Sequence, residues 1–350
     1  MYTRNIYTLP EVIVWTRFES AFFFIYCCIW VALYFFLDLQ WLRIPWTAIA
    51  LIGTAVSFVI GFQNNSVYGR IWEARKIWGG IVNTSRTFGI YSQDFIENRT
   101  SEPISDSIIQ EQIRILTYRH IAWLTALRYS MRAEKEWETT HNKKTNKEWG
   151  LNIPERTKPL KDVLQDYISK EDLNYVQSKG NPQTALLYLQ SHHLKELKNQ
   201  NLIWEFSFLK MEGVLEELFT LQGKSERIKN FPFPRQYATI NHLFMWCLLI
   251  LLPLAMVPQF AEIGRDISEG YPIIGRYFVW LSILFYTAVA WIFHTMERIG
   301  RTGENPFEGT SNDVPISTIA RGIEIDLRQN LGEHKEDIPT PLTTEHHIQW

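Results

Sequence analysis

Thr54, Phe58 and Phe62 recur at four-residue spacing inside an apolar run that also holds Gly53, Ser57 and Gly61, so the three fall on one stripe of a helix. Small residues let helices approach closely or leave room at an axis. If several copies bring this stripe to a common axis, the phenyl rings form an apolar collar, and such constrictions gate ion flow by dewetting. A phenyl ring has a positive edge and a negative face. Edges turned to the axis favour an anion shedding water, and faces favour a cation. The same rings packed on lipid or on neighbouring helices would have no such role, and spacing alone leaves both readings open.

Other residue groups carry less chemistry. His192, His193 and Glu196 share a helical segment, but adjacent histidines point to different sides of a helix and no third ligand has an evident position, so no metal site is read there. His294, three residues before Glu297, reads as a hydrogen-bonding anchor near a membrane interface rather than as a proton relay. Cys27, Cys28 and Cys247 lie in apolar runs outside any CxxC spacing, which gives neither a disulfide framework nor a zinc site. There is no Gly-rich phosphate loop and no solenoid period, and no nucleophile, base and orienter can be named together, so neither an enzyme nor a cofactor is expected. The near balance of 35 Lys+Arg against 37 Asp+Glu removes the bulk electrostatic case for a nucleic-acid partner.

The elements that must position the Thr54–Phe62 stripe are membrane spans. A mean hydropathy of −0.14 over 350 residues hides four stretches almost free of charge. Eighteen uncharged residues lie between Glu19 and Asp38, 26 between Arg43 and Arg70, 26 from Gln236 to Ala261, and 20 from Tyr277 to Met296. A bilayer core needs roughly 20 helical residues. Soluble core helices keep a polar face, which these lack. Spans are therefore expected at residues 19–38, 44–69, 236–261 and 277–296, with the second continuing into the polar QNNSVYGRIWEARKIWGG. The residues before Glu19 carry mixed charges and no small-residue cleavage site follows, so the first span is expected to stay inserted.

With four spans both ends share one side. The two loops opposite hold only Arg43, Arg265 and Arg276, leaving 32 of 35 basic residues on the other face. The positive-inside tendency then puts the N-terminal segment 1–18, the region 70–235 and the C-terminal segment 297–350 in the cytoplasm. Apolar periodicity predicts helix in SIIQEQIRILTYRHIAWLTALRYSMR and again in the stretch from Asn181 to Ile228, with Asn181 as cap and Pro182 as first residue. The lysine-rich KEWETTHNKKTNKEWGLNIPERTKPLKD between them reads as a solvated loop.

The segment SFVIGFQNNSVYGRIWEARKIWG resembles the bestrophin family, in which a phenylalanine-bearing second helix leads into a polar turn and an R-x-W-E-A-R run. The resemblance extends over the order of the four spans, over QGKSERIKNFPFPRQY ahead of the third, and over ENPFEGTSNDVP and ARGIEIDLRQNLGE after the fourth; the last two look like the prokaryotic branch. It implies an all-α membrane protein with four transmembrane helices per subunit and a large cytoplasmic helical region, assembled as a homopentamer around one central pore in a bacterial inner membrane. Phe58 and Phe62 match the family's neck residues. Thr54 stands where the family has a larger aliphatic side chain, which widens or wets the top of the neck. For a second, cytosolic aperture the resemblance points to Phe206, with Ile203 as its neighbour one helical turn away. Arg70, Trp72, Glu73 and Arg75 match the R-x-W-E-A-R run, with the implied role of tying the second helix to adjacent subunits or to the third and fourth spans.

Animal members clasp calcium with an acidic run after an N-P-F triplet. Here Asn305, Pro306 and Phe307 are followed by Glu308, Gly309, Thr310, Ser311, Asn312 and Asp313, with two carboxylates. A calcium cage takes six to eight oxygens, so tight calcium binding is not expected. The aromatic neck is similar to that of chloride-conducting members, whereas cation-conducting prokaryotic relatives have an aliphatic one, which points to chloride and other small monovalent anions as permeant ions. The alternatives are a monovalent-cation channel and a non-conducting membrane-anchored scaffold whose cytoplasmic helices bind a partner. A secondary transporter would need broken spans in inverted repeats and a polar midplane site, neither of which is visible.

Overall fold

The computed structural model describes residues 1–39, 41–100, 104–138, 144, 147–150 and 152–350. Part of the lysine-rich stretch read as a solvated loop lies outside them. The regular elements of the described residues are helical: α1 Leu9–Phe36, α2 Trp46–Asp94, α3 Asp106–Arg132, α4 Pro154–Thr157, α5 Leu160–Leu164, α6 Lys170–Gln177, α7 Pro182–Asn199, α8 Glu205–Asn230, α9 Arg235–Ser268, α10 Pro272–Tyr277, a 3-10 turn Phe278–Trp280, α11 Leu281–Thr302 and α12 Ile316–Asn330. They form two compact units, one of residues 4–69 and 233–304, the other of residues 1–3, 70–232 and 305–350. The helix α2 runs unbroken through residues of both.

Four helical stretches in the described residues are long and apolar enough to cross a membrane: Leu9–Phe36, Trp46–Asp94, Arg235–Ser268 and Pro272–Thr302. Within this unit α1 packs chiefly on α11, and α9 on α10 and α11. Phe23, Cys27 and Val31, four residues apart, form the buried stripe of α1 and meet Met245, Leu249, Ile283, Tyr286 and Ala290. Its other faces leave Phe22, Phe24, Ile25 and Ile29 exposed, as suits lipid contact. The helix starts eleven residues ahead of the charge-free run because Glu11 accepts from the Thr8 N–H at 2.7 Å and from its hydroxyl at 2.8 Å, and Pro10 sits in the first turn. Arg298 is buried beside α1, donating to the Trp15 carbonyl at 2.8 Å and to Glu19 at 3.1 Å, with its guanidinium 4.3 Å from the centre of the Trp15 ring.

Two prolines interrupt α9, and each frees the carbonyl four residues earlier. Pro253 releases Leu249, whose oxygen accepts the Tyr286 hydroxyl at 3.0 Å; Pro258 releases Leu254, whose oxygen accepts the Ile44 N–H at 3.2 Å. Both backbone acceptors thus find replacement donors, as a hydrocarbon environment demands.

The other unit is built on a core from Trp78, Ile81 and Phe88 of α2, Trp123 and Leu127 of α3, Leu186 and Leu194 of α7, Met211 and Leu218 of α8, and Ile323 of α12. Asn181 caps α7 by accepting the Thr184 N–H at 3.0 Å, with Pro182 in the first turn. The single long helix read from Asn181 to Ile228 is two helices. Asn201 takes a left-handed backbone, φ 57°, and the Leu202 N–H closes on the Leu197 carbonyl at 2.9 Å, which stops α7 and lets α8 restart at Glu205. The short helices α4 and α5 occupy part of what the sequence presents as loop.

Candidate pore-lining helix and its polar anchor

The helix α2 has two distinct faces. Ile49, Val56 and Gln63 repeat at sevens, as do Ile60, Val67, Ala74, Ile81 and Phe88, and all are buried; the first row resumes at buried Ile77 beyond half-buried Arg70. The opposite stripe carries Thr54, Phe58, Phe62, Asn65, Gly69, Trp72 and Lys76, all exposed. Phe58 is 64% and Phe62 63% exposed, unusual for phenyl rings and far from the buried face. The stripe read from spacing is therefore present on one helix and turned away from the protein's own core. Thr54 donates its hydroxyl to the Ala50 carbonyl at 2.9 Å and Ser57 does the same to Gly53 at 2.8 Å, so both hydrogens are already committed along the stripe's first turns.

Immediately after Phe62, three consecutive amides part company. Gln63 is buried; its oxygen accepts from Asn241 of α9 at 2.9 Å and its nitrogen donates to Glu304 at 3.4 Å. Asn64 donates to the Met296 carbonyl of α11 at 3.2 Å. Asn65 is exposed beside the phenyl stripe. Glu304 also faces Arg235 at 3.3 Å, and burial pushes its carboxyl above the usual carboxylate range against the pull of that guanidinium. Next to this lies a second chain of contacts, in which the Trp246 indole donates to His242 at 3.0 Å and the other ring nitrogen of His242 stands 3.0 Å from Glu297, itself 3.7 Å from Arg301. Gly300 allows the close approach of α11 to α2, since a Cβ there would collide with the Asn64 carboxamide oxygen.

In the R-x-W-E-A-R run, Arg70 and Glu73 make polar contacts. Arg70 donates to the Ile228 carbonyl at 2.6 Å and the Phe231 carbonyl at 2.5 Å, satisfying acceptors at the C-terminal end of α8. The arginine thus ties α2 to the end of α8. Glu73 pairs with Lys76 at 2.9 Å on the surface, which holds its carboxyl below the usual range; Trp72 and Arg75 are exposed. Of the two aperture candidates, Phe206 is 67% exposed in the first turn of α8, 4.7 Å ring to ring from Trp204. Ile203 is a correction. It precedes the helix, bridges Ile96 and is only 3% exposed, so it is a core residue and not a lining neighbour one turn away. Its hydrophobicity is the same in either place; the chain break at Asn201 decides which.

The histidine group separates as well. His192 stands 3.2 Å from Glu196 on the surface, whereas His193 lies between Arg119 at 3.0 Å and Gln112 at 2.7 Å. Burial and the Arg119 charge push the His193 imidazole down to about 4. His294 is buried edge-on against Phe23 and Trp246. In the turn after Phe307, Asp313 accepts from the Gly309 N–H at 2.6 Å, the Thr310 N–H at 2.8 Å and the Thr310 hydroxyl at 2.7 Å, while Glu308 accepts from Asn305 at 2.6 Å. Both carboxylates are thereby engaged within their own turn.

Sequence reasoning passed over Gln63, Asn241, His242 and Glu304. The one available signal was the amides and imidazole of Asn241 and His242 inside an otherwise apolar run.

The family described as Bacterial/Fungal Bestrophin protein matches residues 9–329. Among known proteins, the chain is similar to the voltage-dependent anion channel-forming protein YneE of Escherichia coli K12, 26% identical over 300 residues that cover 86% of this chain and 81% of the relative. The voltage-dependent anion channel-forming protein RSc3414 of Ralstonia nicotianae is 24% identical over 315 residues, 89% of this chain and 86% of that one. A bacterial bestrophin homologue from Klebsiella pneumoniae, solved by crystallography, matches with a TM-score of 0.70 at 18% identity over 91% of this chain and 99% of its own, a likeness of fold.

Proposed function

This chain belongs to the bacterial/fungal bestrophin family, and we propose that it forms an anion channel, passing chloride and small monovalent anions through a neck lined by Phe58 and Phe62. Five copies share one axis in a bacterial inner membrane, with both termini and the regions 70–235 and 297–350 on the cytoplasmic side. Thr54 sits at the top of the neck, and Phe206 serves a second, cytosolic aperture. The observation that carries this reading is the exposure of Phe58 and Phe62, 64% and 63%, on the face of α2 opposite its buried heptads. Relatives named as anion channel-forming proteins support the choice of ion.

The physics is that of a short dry passage. A ring of phenyl edges offers partial positive charge to an ion that has shed part of its water, and the absence of full charge lets the ion leave again. The hydrogen bond that Gln63 accepts from α9 and the one that Asn64 donates to α11 fix the helix's rotation about its axis, which keeps the phenyl stripe on the opposite side.

The test combines two measurements. Native mass spectrometry in detergent is expected to give five subunits. Reversal potentials across planar bilayers under a chloride salt gradient are expected near the chloride equilibrium potential. Reversal at the cation equilibrium potential would turn the reading to a cation channel, and a monomer without conductance would leave a membrane-anchored scaffold.

A further inference from the structure

We infer that Asn65 is a further pore-lining position, its carboxamide forming a ring of N–H donors that rehydrates the anion as it leaves the phenyl neck. The inference rests on the channel reading above and adds to it a site of different chemistry. Three amides stand in sequence after Phe62. Gln63 and Asn64 are bonded inward, to Asn241 and Glu304 and to the Met296 carbonyl. The Asn65 side chain has no hydrogen-bond partner among the described residues and is exposed. Helical geometry puts it within roughly 60° of Phe62 and 20° of Phe58 about the helix axis, one turn further along.

Burial cannot explain an amide there, and neither can capping, because α2 continues for 29 residues past it. The next stripe position is Gly69, which brings no side chain to the stripe. An ion emerging from the apolar collar has lost water and has no charged side chain within reach on this stripe until Lys76, which is paired with Glu73. A neutral N–H donor supplies what the ion lacks without trapping it, since multi-site conduction needs binding weak enough to release. The carboxamide oxygen of the same ring would serve a cation, so donor orientation toward the axis is the specific content of the proposal.

The full-length protein reconstituted in planar bilayers provides the test. Asn65→Asp replaces each amide by a carboxylate and is expected to lower the chloride-to-sodium permeability ratio about tenfold, because carboxylate rings select cations. Asn65→Ala is expected to raise the thiocyanate-to-chloride ratio about threefold, as the more strongly hydrated ion loses its donors, and Asn65→Gln to restore it. Elution volume of the assembled protein shows that each variant folds. The inference is overturned if Asn65→Asp leaves the ratio within about twofold of the parent while Phe62→Ala moves it, a result that keeps the phenyl neck and removes Asn65 from the path. If the parent itself reverses at the cation potential or conducts nothing, the anion-channel reading fails first and this inference with it.

Discussion

Replacing Glu155 tests the buried charge arrangement that joins α3, α4 and α12. The Glu155 side chain is 1% exposed and accepts the Ser317 hydroxyl at 2.6 Å, with the Nε atoms of Arg128 and Arg132 at 3.3 and 3.7 Å. Arg132 is itself 1% exposed and donates to the Phe307 carbonyl at 2.8 Å; burial holds its guanidinium below the usual range while Glu155 pulls the other way. Glu155→Ala strands a cation in a place where water cannot reach it, which costs about 3–5 kcal/mol. For a unit of about 210 residues, each kcal/mol lowers the unfolding midpoint by about 2–4 °C, so the expected drop is roughly 10 °C. Heating followed by intrinsic tryptophan fluorescence reads it, since Trp78 and Trp123 are buried in the same unit. Glu155→Gln keeps an acceptor for Ser317 and should lose less. Adding Arg132→Met to Glu155→Leu removes one stranded cation and should recover part of the loss. A midpoint within about 3 °C of the parent for Glu155→Ala would refute the reasoning, because a drop that small corresponds to only about 1 kcal/mol.

Three further outcomes follow from other parts of the structure. Phe58→Ala and Phe62→Ala should each change stability by less than about 1 kcal/mol, since the rings lie largely outside the core, while raising single-channel conductance and weakening ion discrimination; unchanged conductance in the double variant would exclude them from the path. Gly300→Val, which forces side-chain atoms into the space held by Asn64, should cost about 1–3 kcal/mol and reduce the yield of assembled protein on size exclusion. His120, stacked at 5.0 Å on Phe88, and His193 are held neutral, pushed down by burial to about 3 and about 4 from an ordinary 6.5. Both protonate more readily when unfolded, so their contribution is complete above pH 6.5 and declines as the pH falls towards 4, by up to about 1.4 kcal/mol per pH unit each. Unfolding midpoints flat from pH 7 to 8 and falling below pH 6.5, with the slope reduced in His120→Phe, are the expected pattern.

The four membrane helices were legible because a span excludes charge over a length that the bilayer sets, and that is a local property of the sequence. Their ends were not. The helix α1 begins at Leu9 because of a capping box; the run of α2 into its polar segment was legible, but its end at Asp94 was not. The phenyl stripe was legible from spacing, but its exposure was not, since Val56 and Ile60 are equally apolar and face inward. The break between α7 and α8 carries no glycine or proline; it depends on Asn201 accepting a left-handed backbone, which misplaced Ile203 by one element. The anchor of Gln63, Asn241 and Glu304 joins residues up to 241 positions apart, which no local pattern reveals.

The prolines of α9 are commonly thought of as places where a membrane helix bends on demand. Here the two liberated oxygens are already held, one by the phenol of Tyr286 in α11 and the other by the peptide nitrogen of Ile44 ahead of α2. Sliding α11 along α9 would strip the first of these in a medium that offers no substitute donor, at a cost of several kcal/mol for an orphaned peptide group. The third and fourth spans are thus latched to each other at mid-helix, and moving one without the other has to break that bond.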